Sequence, residues 1–230
     1  MAKHIGIVAA SPEGAALFYR QVFRQASHVL QPDEHLRVSL HNEPLSLYID
    51  AIRKNDWHAV GELLRRSAQF LHRCGAEFCL SPDNAVQHGV HLAESGSPIP
   101  WLTMPDLVAR AVESDQRKVV GLIGTKMVTT ASTYQTHLGL RGIQVLAPEA
   151  EEADDMDRII FSGRISRAIA PKSRMAVVRI IDNLARRGCE GVILGCSEAP
   201  LLVTPENTHL PIYDAADILA ISAARLAASS

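Results

Sequence analysis

Two segments of this chain follow one template, and this internal repeat limits the folds that the sequence can adopt. In the first segment a basic stretch leads to Gly75, and Asp83 stands eight residues beyond that glycine. In the second a basic stretch leads to Gly188, and Cys196 stands eight residues beyond it. An apolar run lies between the glycine and the polar residue in both. A helix that ends at a glycine and is followed by a buried strand accounts for both segments.

Short apolar runs alternate with longer helical patterns along the chain, which is typical of an α/β protein with mainly parallel sheets. In the first half, the apolar runs predict strands at 5–9, 36–40, 78–81 and 101–104. Helices are predicted at 12–26 and 56–73, with Ser11 and Asn55 as their N-caps, because apolar residues recur there at helical spacing.

The same order of elements restarts in the second half, with Gly121 in the place of Gly6. Strands are predicted at 119–125, 144–147 and 192–194, and helices from 129–132 onward, at 173–187 and at 214–226. The last helix has no strand after it and is expected to pack on the first half. The predicted fold is therefore two Rossmann-like α/β lobes with parallel sheets and pseudo-twofold symmetry, formed by residues 1–102 plus 213–230 and by residues 103–212.

Small polar residues follow the predicted strands of both halves. They are Ser11, Asp83, Asn84, Thr125, Cys196 and Ser197. Ligands of parallel sheets bind outside the carboxyl ends of the strands. Two lobes that face each other through these ends would enclose a cleft lined by these residues. We therefore expect the active site in a cleft between the lobes.

The composition excludes several classes of function. The chain has 230 residues, 21% of them charged, and its formal net charge is -2 without a long run of Lys or Arg. This balance gives no electrostatic reason to bind nucleic acid or an anionic membrane. The first apolar run is too short for a signal peptide, and Asp217 and Arg225 interrupt the Ala-rich C-terminal segment. We therefore expect a cytoplasmic protein without a membrane or nucleic-acid partner.

The sequence contains four cysteines, and Cys196 differs from the others by its position. No C-x-x-C pair and no Cys/His spacing for zinc occurs, so no metal site is predicted. Cys74, Cys79 and Cys189 are expected to pack as small apolar residues. Cys196 follows a predicted strand and Gly195, where backbone N–H groups and a following helix or turn would lower the pKa of its thiol. Alternatively, the Cys196 side chain only fills space beneath the loop that follows the strand.

Three further positions carry weaker signals. The segment G-L-I-G-T at 121–125 matches no nucleotide-binding motif, so Thr125 either donates its hydroxyl to a small anionic ligand or caps the next helix. His88 and His91 have no metal-ligand partner at a suitable spacing and are expected on the surface. Asp83 is a base, a turn-former or the cap of the helix after it.

Several of these segments resemble the aspartate/glutamate racemase family, whose relatives include glutamate and hydantoin racemases, maleate isomerase and arylmalonate decarboxylase. The residues S-P-E at 11–13 are similar to the family's opening motif, and G-L-I-G-T at 121–125 is similar to its G-L-L-G-T segment, with Tyr134 downstream. V-I-L-G-C-S-E at 192–198 is the most specific match, to V-I-L-G-C-T-E. The resemblance covers nearly the whole chain.

The resemblance implies a two-lobed fold with substrate between the lobes, no cofactor, and a homodimer. In such racemases two thiols flank the α-carbon of the substrate. One thiolate removes the α-proton, and the other group returns a proton to the opposite face, because inversion needs a base and an acid on opposite sides. Donors near the substrate carboxylate must stabilise the carbanion, since no cofactor absorbs its charge.

The first half departs from the family's pattern. Where the family has C-N-T-A-H, this chain has D-N-A-V-Q at 83–87, so that Asp83, Ala85 and Gln87 replace the Cys, the Thr and the His. The family's closing D-T-x-x-I-H is D-A-A-D-I-L at 214–219, again without the His. Some members use a Lys to bind the side chain of the substrate, and the candidate substitutes here are Arg164, Arg167 and Lys172.

Three hypotheses for the function follow. The first is a racemase for a small acidic or related amino acid, in which Cys196 acts on one face and Asp83, directly or through water, on the other. The residues expected to contact the substrate are Ser11, Asn84, Ala85, Thr125 and Ser197. A carboxylate is a weaker base than a thiolate unless desolvation raises its pKa, so this hypothesis predicts slow or asymmetric catalysis. The second is a single-thiol isomerase or decarboxylase of a small carboxylic acid, and the third is a ligand-binding relative without catalysis.

Overall fold

Helices and parallel strands alternate along the chain in a computed structural model, which describes residues 2–31, 34–166 and 171–229, with the backbone alone for 162–166. In chain order the elements are β1 (Ile5–Ala9), α1 (Pro12–Ala26), β2 (Val38–Asn42), α2 (Leu45–Arg53), α3 (Trp57–Arg73), β3 (Phe78–Leu80), α4 (Gln87–Glu94), α5 (Met104–Ser114), β4 (Val119–Ile123), α6 (Lys126–Thr129), α7 (Thr133–Gly139), β5 (Gln144–Leu146), α8 (Ala150–Ser166), α9 (Pro171–Arg186), β6 (Val192–Leu194), β7 (Ile212–Asp214) and α10 (Ala215–Ala228). Short 3₁₀ helices lie at Asn84–Val86 and Ala199–Leu201.

The chain divides into two compact units, Met1–Met104 with Ala216–Ser230 and Pro105–Ala215. The first unit contains a parallel sheet of order β2-β1-β3, in which the fully buried β1 is central. The second contains a parallel sheet of order β5-β4-β6-β7, in which β4 and β6 are the inner strands. The prediction of two α/β halves with parallel sheets is confirmed.

The helices α3 and α9 end in the same way, at the two glycines of the repeat. Gly75 has φ 88° and Gly188 has φ 95°, values that favour glycine because a Cβ would clash there. The residue after each glycine donates its N–H to a carbonyl five residues earlier, at Leu71 and at Leu184 respectively. This pairing is the Schellman arrangement, which satisfies carbonyls at the helix end. The repeat in the sequence is therefore a repeat of backbone geometry.

The same two leucines explain the glycines of the first strand in each unit. A Cβ built on Gly6 would lie 3.2 Å from Leu71 Cβ, and one built on Gly121 would lie 2.8 Å from Leu184 Cδ1. Real Cβ atoms rarely approach so closely, because well-packed interiors leave no room for an added methyl group. Each glycine therefore lets a helix lie directly on the central part of its sheet.

Several predicted elements are corrected by the structure. Residues 101–104 do not form a strand: Trp101 makes a single bridge to Cys79, and α5 begins at Met104. The N-cap of α3 is Asp56, which accepts the N–H of Ala59, and not Asn55. The prediction also lacks the short edge strand β7 and the helices α2, α5 and α8.

The position of β7 also shifts the boundary between the units. Because β7 pairs with β6, residues 212–214 belong to the second sheet, and the second unit extends to Ala215. The predicted boundary assigned 213–215 to the first lobe. Within the described part of the chain, the helices are too short or too polar to cross a lipid bilayer.

Candidate active site

Asp83 lies just beyond the carboxyl end of β3, and its side chain reaches back to the turn after β1. Its Oδ2 accepts the backbone N–H of Ala10 at 2.9 Å and that of Ser11 at 3.1 Å. Ser11 is the N-cap of α1, and its Oγ accepts the N–H of Gly14 at 3.2 Å. The structure therefore brings Ser11 and Asp83, two of the predicted site residues, into direct contact.

The structure excludes one of the three roles predicted for Asp83. Its side chain makes no capping bond to the 3₁₀ helix that follows it, so the prediction of a cap for that helix is wrong. The carboxylate instead lies at the N-terminus of α1, a helix of 15 residues. Two N–H donors and the positive end of a helix both stabilise the ionised form of a carboxylate.

The backbone that carries Asp83 is held by Gln87, the residue that stands where the family has a His. Its Nε2 donates to the carbonyl oxygens of Ser81 at 2.9 Å and Asp83 at 3.1 Å, and the side chain is buried. Asn84 and Ala85 lie in the intervening 3₁₀ helix and are half-buried. Gln87 therefore fixes the backbone on both sides of Pro82 through its side-chain amide.

Tyr48 and Glu43 follow β2 and were missed as candidates. Tyr48 is buried in α2, and its Oη has no hydrogen-bond partner among the described residues. Burial raises the pKa of Tyr48, the neighbouring Ser67 hydroxyl opposes this shift, and the charges of Glu43 and Asp83 add to it. Glu43 in turn pairs with Arg66 Nε at 2.8 Å. Tyr48 belongs to no sequence motif. It stands out only by its burial near charged residues, which the sequence alone does not show.

Cys196 and Thr125 lie beyond the carboxyl ends of the neighbouring strands β6 and β4. Gly195 donates its N–H to the carbonyl of Ile123 at 2.7 Å, which extends the pairing of the two strands. A Cβ built on Gly124 would lie 3.3 Å from the carbonyl oxygen of Gly195. The two glycines let the strand ends approach closely, so Thr125 and Cys196 emerge side by side.

Cys196 is only 8% exposed and belongs to the cluster of buried residues that includes Ala199 and Leu202. A turn and the three-residue 3₁₀ helix follow it, which agrees with the predicted helix or turn after Cys196. Ser197, the next residue, is exposed.

Thr125 begins α6 without capping it through its side chain, so that alternative of its prediction is wrong. The carbonyl of Thr125 accepts the N–H of Val128 and Thr129 at 2.9 and 3.0 Å. The next residue, Lys126, donates its backbone N–H to Asp157 Oδ1 at 2.7 Å, while its Nζ pairs with Asp154. The turn after β4 thus resembles the turn after β1, because both donate backbone N–H groups to a carboxylate of the chain.

Asp214 and Tyr134 are further residues of the second unit. Asp214 ends β7, where it pairs in register with Leu194, two residues before Cys196. Tyr134 is fully buried, and burial together with the charge of Asp214 raises the pKa of its phenol. The sequence predicted no role for either residue. Asp214 begins the closing motif that lacks the family's His, and Tyr134 lies downstream of G-L-I-G-T.

The other cysteines and histidines lie where their environments limit their reactivity. Cys79 and Cys189 are buried as predicted, and burial raises the pKa of both thiols. Cys74 is exposed, so the predicted packing role is wrong for it. The predicted surface positions of His88 and His91 are confirmed.

Some predictions concern cationic residues and metal sites. Arg167 and the side chain of Arg164 lie outside the described residues, and Lys172 is exposed. Across residues 2–31, 34–161 and 171–229, no three His, Cys, Asp or Glu side chains form a group that could hold a metal ion.

Known proteins resemble this chain along nearly its whole length. A sequence-family model described as Asp/Glu/hydantoin racemase matches residues 7–223. A crystal structure from Yersinia pestis, provisionally described as an Asp/Glu racemase, is 26% identical with a TM-score of 0.91, over 98% of this chain and 99% of that one. An aspartate racemase homologue from Pyrococcus horikoshii is 25% identical with a TM-score of 0.89, over 99% and 100%. The aspartate racemase of Picrophilus torridus, 20% identical with a TM-score of 0.78 over 98% and 94%, shares the fold.

Proposed function

Because the chain belongs to the Asp/Glu/hydantoin racemase family, we propose that it is a cofactor-independent racemase that moves the α-proton of an amino acid. Cys196 serves as the acid or base on one face of the α-carbon. Asp83 serves as the opposing group, and the protein works as a homodimer in the cytoplasm. The observation that carries this proposal is the position of Cys196 beside Thr125, at adjacent strand ends of a family-typical sheet.

The chemistry requires a thiol that can exchange a proton with carbon and donors that stabilise the carbanion. Ligands of parallel sheets bind outside the carboxyl ends of the strands, which is where Cys196 and Thr125 lie. The Thr125 hydroxyl does not cap α6, so it is suited to donate a hydrogen bond to the substrate carboxylate. Asn84, Ala85, Ser11 and Ser197 are proposed to complete the contacts with the substrate.

The test is exchange of the α-proton in D₂O, followed by NMR for both enantiomers of a panel of amino acids. The panel includes Asp, Glu, Asn, Gln, Ala and Ser. A racemase incorporates deuterium at the α-carbon and yields the opposite enantiomer, which chiral chromatography detects. Absence of exchange with every member of the panel would overturn the proposal.

A second candidate is a single-thiol isomerase or decarboxylase of a small carboxylic acid. The observation that favours it is the pair of hydrogen bonds from Ala10 and Ser11 to Asp83. A carboxylate that is stabilised in its ionised form is a weak base, so it removes a proton from carbon poorly. Such an enzyme needs only Cys196 to deliver or remove a proton.

The variant Asp83→Asn separates the two candidates, because Asn keeps an acceptor oxygen for the two N–H groups and cannot titrate. For a two-base racemase we expect inversion to fall by roughly a hundredfold or more, while exchange without inversion persists from the enantiomer that Cys196 deprotonates. For a single-thiol enzyme we expect turnover to stay within about tenfold of the unmodified protein.

A further inference from the structure

We propose that Gln87 is a positioning residue: its side-chain amide holds residues 81–83 in the geometry in which Asp83 transfers a proton. This inference rests on the proposed function, in which Asp83 is the opposing acid or base. It assigns a role to a residue that has no acid or base of its own. The contacts that carry it lie within the first unit.

The backbone that carries Asp83 lies beyond the part of β3 that the sheet holds in place. The pairing of β1 with β3 ends at Leu80, and residues 81–83 follow it. Pro82 has no backbone N–H, so this segment has one donor fewer with which to pair. The position of Asp83 therefore depends on contacts other than those of the sheet.

Gln87 supplies two of these contacts from one nitrogen atom. Its Nε2 donates to the carbonyl oxygen of Ser81 at 2.9 Å and to that of Asp83 at 3.1 Å. A side-chain amide carries two N–H groups on one nitrogen, and this matches two neighbouring carbonyls. Gln87 is 4% exposed and Ser81 is 1% exposed, so water has little access to replace the amide. Loss of the amide would leave a buried carbonyl without this donor, which is costly.

Gln87 is the first residue of α4, and α4 packs closely on α3. A Cβ built on Gly89 would lie 2.4 Å from Val60 Cγ1 in α3. One built on Gly61 would lie 3.0 Å from Leu92 Cβ in α4. The two helices therefore approach through a glycine on each side, which leaves α4 little room to shift. A helix held in this way is a suitable support for a group that must be placed to within about 0.5 Å.

The experiment measures the loss of the α-proton in D₂O from each pure enantiomer of the best substrate of the panel, and takes the ratio of the two rates. Asp83→Asn shows which enantiomer depends on Asp83, because exchange of that enantiomer falls while exchange of the other persists. Gln87→Met keeps the length of the side chain and removes both donors. We expect it to lower the Asp83-dependent rate by about tenfold to a hundredfold, because a small misplacement of a catalytic group has an effect of this order. We expect the other rate to stay within about threefold, because Cys196 follows a strand of the second sheet.

The ratio distinguishes a positioning role from a purely structural one. Partial unfolding removes active protein and lowers both rates by the same factor, so it leaves the ratio unchanged. A second variant, Gln87→His, has a single N–H donor when it is neutral, and it tests the same point if Gln87→Met does not fold. We expect Gln87→His to change the ratio in the same direction and by a smaller factor.

The matched control is Gln21→Met, which removes an amide that donates to Asp217 at 2.9 Å, between α1 and α10 of the same unit. We expect it to leave the ratio unchanged. If the Gln87 variants keep the ratio of the unmodified protein, or if Gln21→Met changes it as much as they do, the inference is overturned and the proposed function stands. If Asp83→Asn lowers neither rate, or lowers both alike, Asp83 is not the opposing group and the inference fails together with that part of the proposed function.

Discussion

The two segments of the repeat are alike at the amino ends of their strands and different at the carboxyl ends. At the amino ends, Glu77 accepts the backbone N–H of His4 at 2.9 Å, and Glu190 accepts that of Lys118 at 2.6 Å. At the carboxyl ends, Asp83 bonds to the turn after β1, whereas Cys196 lies in an apolar cluster. Scaffold contacts are therefore repeated while the groups suited to chemistry differ.

This difference teaches which side chain is suited to proton transfer with carbon. Asp83 accepts two backbone N–H groups of its own chain, which tie it to the turn after β1. The Cys196 thiol follows a glycine at a strand end where two strands approach closely. The asymmetry between these ends can be tested by substitutions, from the largest expected effect to the smallest.

The largest effect is expected from replacing the thiol of Cys196. We expect Cys196→Ser to lower α-proton exchange by roughly a thousandfold, because a serine hydroxyl is a much poorer acid and base at neutral pH. The measurement is deuterium incorporation with the best substrate of the panel. Cys74→Ser changes an exposed thiol and is the control, for which we expect full activity. Equal activity in both variants would assign catalysis to another group.

The close approach of β4 and β6 is tested by adding a methyl group. A Cβ on Gly195 would lie 3.1 Å from Leu122 Cδ1 and from Val128 Cγ1, so Gly195→Ala crowds the strand end that carries Cys196 against these side chains. We expect activity to fall about tenfold or more and the free energy of unfolding to fall by about 1–3 kcal/mol. Both are measured on the purified variant, the second by urea denaturation.

The control for that variant is Gly139→Ala in α7. Nothing lies within 4 Å of a Cβ built on Gly139, and its φ is not in the left-handed region. We expect this variant to be neutral or more stable by about 0.5–1 kcal/mol, since Ala favours a helix over Gly. If both variants lost similar activity and stability, the strand end at Gly195 would be no more sensitive to an added methyl group than the exposed helix position at Gly139.

The hydrogen bonds of Asp83 are tested by comparing two substitutions. Asp83→Ala leaves the N–H groups of Ala10 and Ser11 without their acceptor, so we expect it to reduce the free energy of unfolding by about 1–3 kcal/mol. Asp83→Asn keeps an acceptor and is expected to cost less than about 1 kcal/mol. Equal stability of the two variants in urea denaturation would show that these contacts do not order the turn.

The smallest effect on stability is expected near the amino end of β1, where the two units make similar contacts. His4 is buried, with Nε2 bonded to Ser39 Oγ at 2.9 Å and Arg37 beside Nδ1. Burial, and next the charge of Arg37, lower the pKa of His4 below its ordinary value near 6.5. The unfolded chain therefore binds a proton more readily than the folded one as the pH falls below 6.5.

The contribution of His4 to stability is accordingly complete above pH 6.5 and is lost as the pH falls from there toward the lowered pKa. We expect a modest decrease of the free energy of unfolding over this range, and a smaller decrease in His4→Gln. Urea denaturation at a series of pH values measures both. A pH dependence identical in the two proteins would assign the effect to other groups.

The hydrophobic pattern predicted much of the fold, and particular residues show where it stopped. The helix 12–26 and the strand 192–194 are confirmed at both ends, because caps and buried apolar runs are local signals. The strand β7 was missed because its three residues gain their pairing from β6, 20 positions earlier in register. The helix α8 was missed because its acidic composition hides its apolar face.

The candidate site divides in the same way. A glycine and a cysteine after a buried strand are adjacent in sequence, so the position of Cys196 could be predicted. The partners of Asp83 lie 72 and 73 residues away and donate through backbone N–H groups, which every residue except proline has. No pattern of residue types could therefore reveal them, and the burial of Tyr48 near the same charges was equally hidden.

The sequence by itself determined the repeat, the alternation of strands and helices, and the placement of one reactive thiol at a strand end. These features follow from short-range rules of capping, periodicity and glycine geometry. Only the tertiary structure decided that Asp83 is bonded to the turn after β1 and that Lys126 donates its N–H to Asp157. The reason is that hydrogen bonding and burial depend on distances between segments that are far apart in the chain, and such distances are set when the whole unit packs.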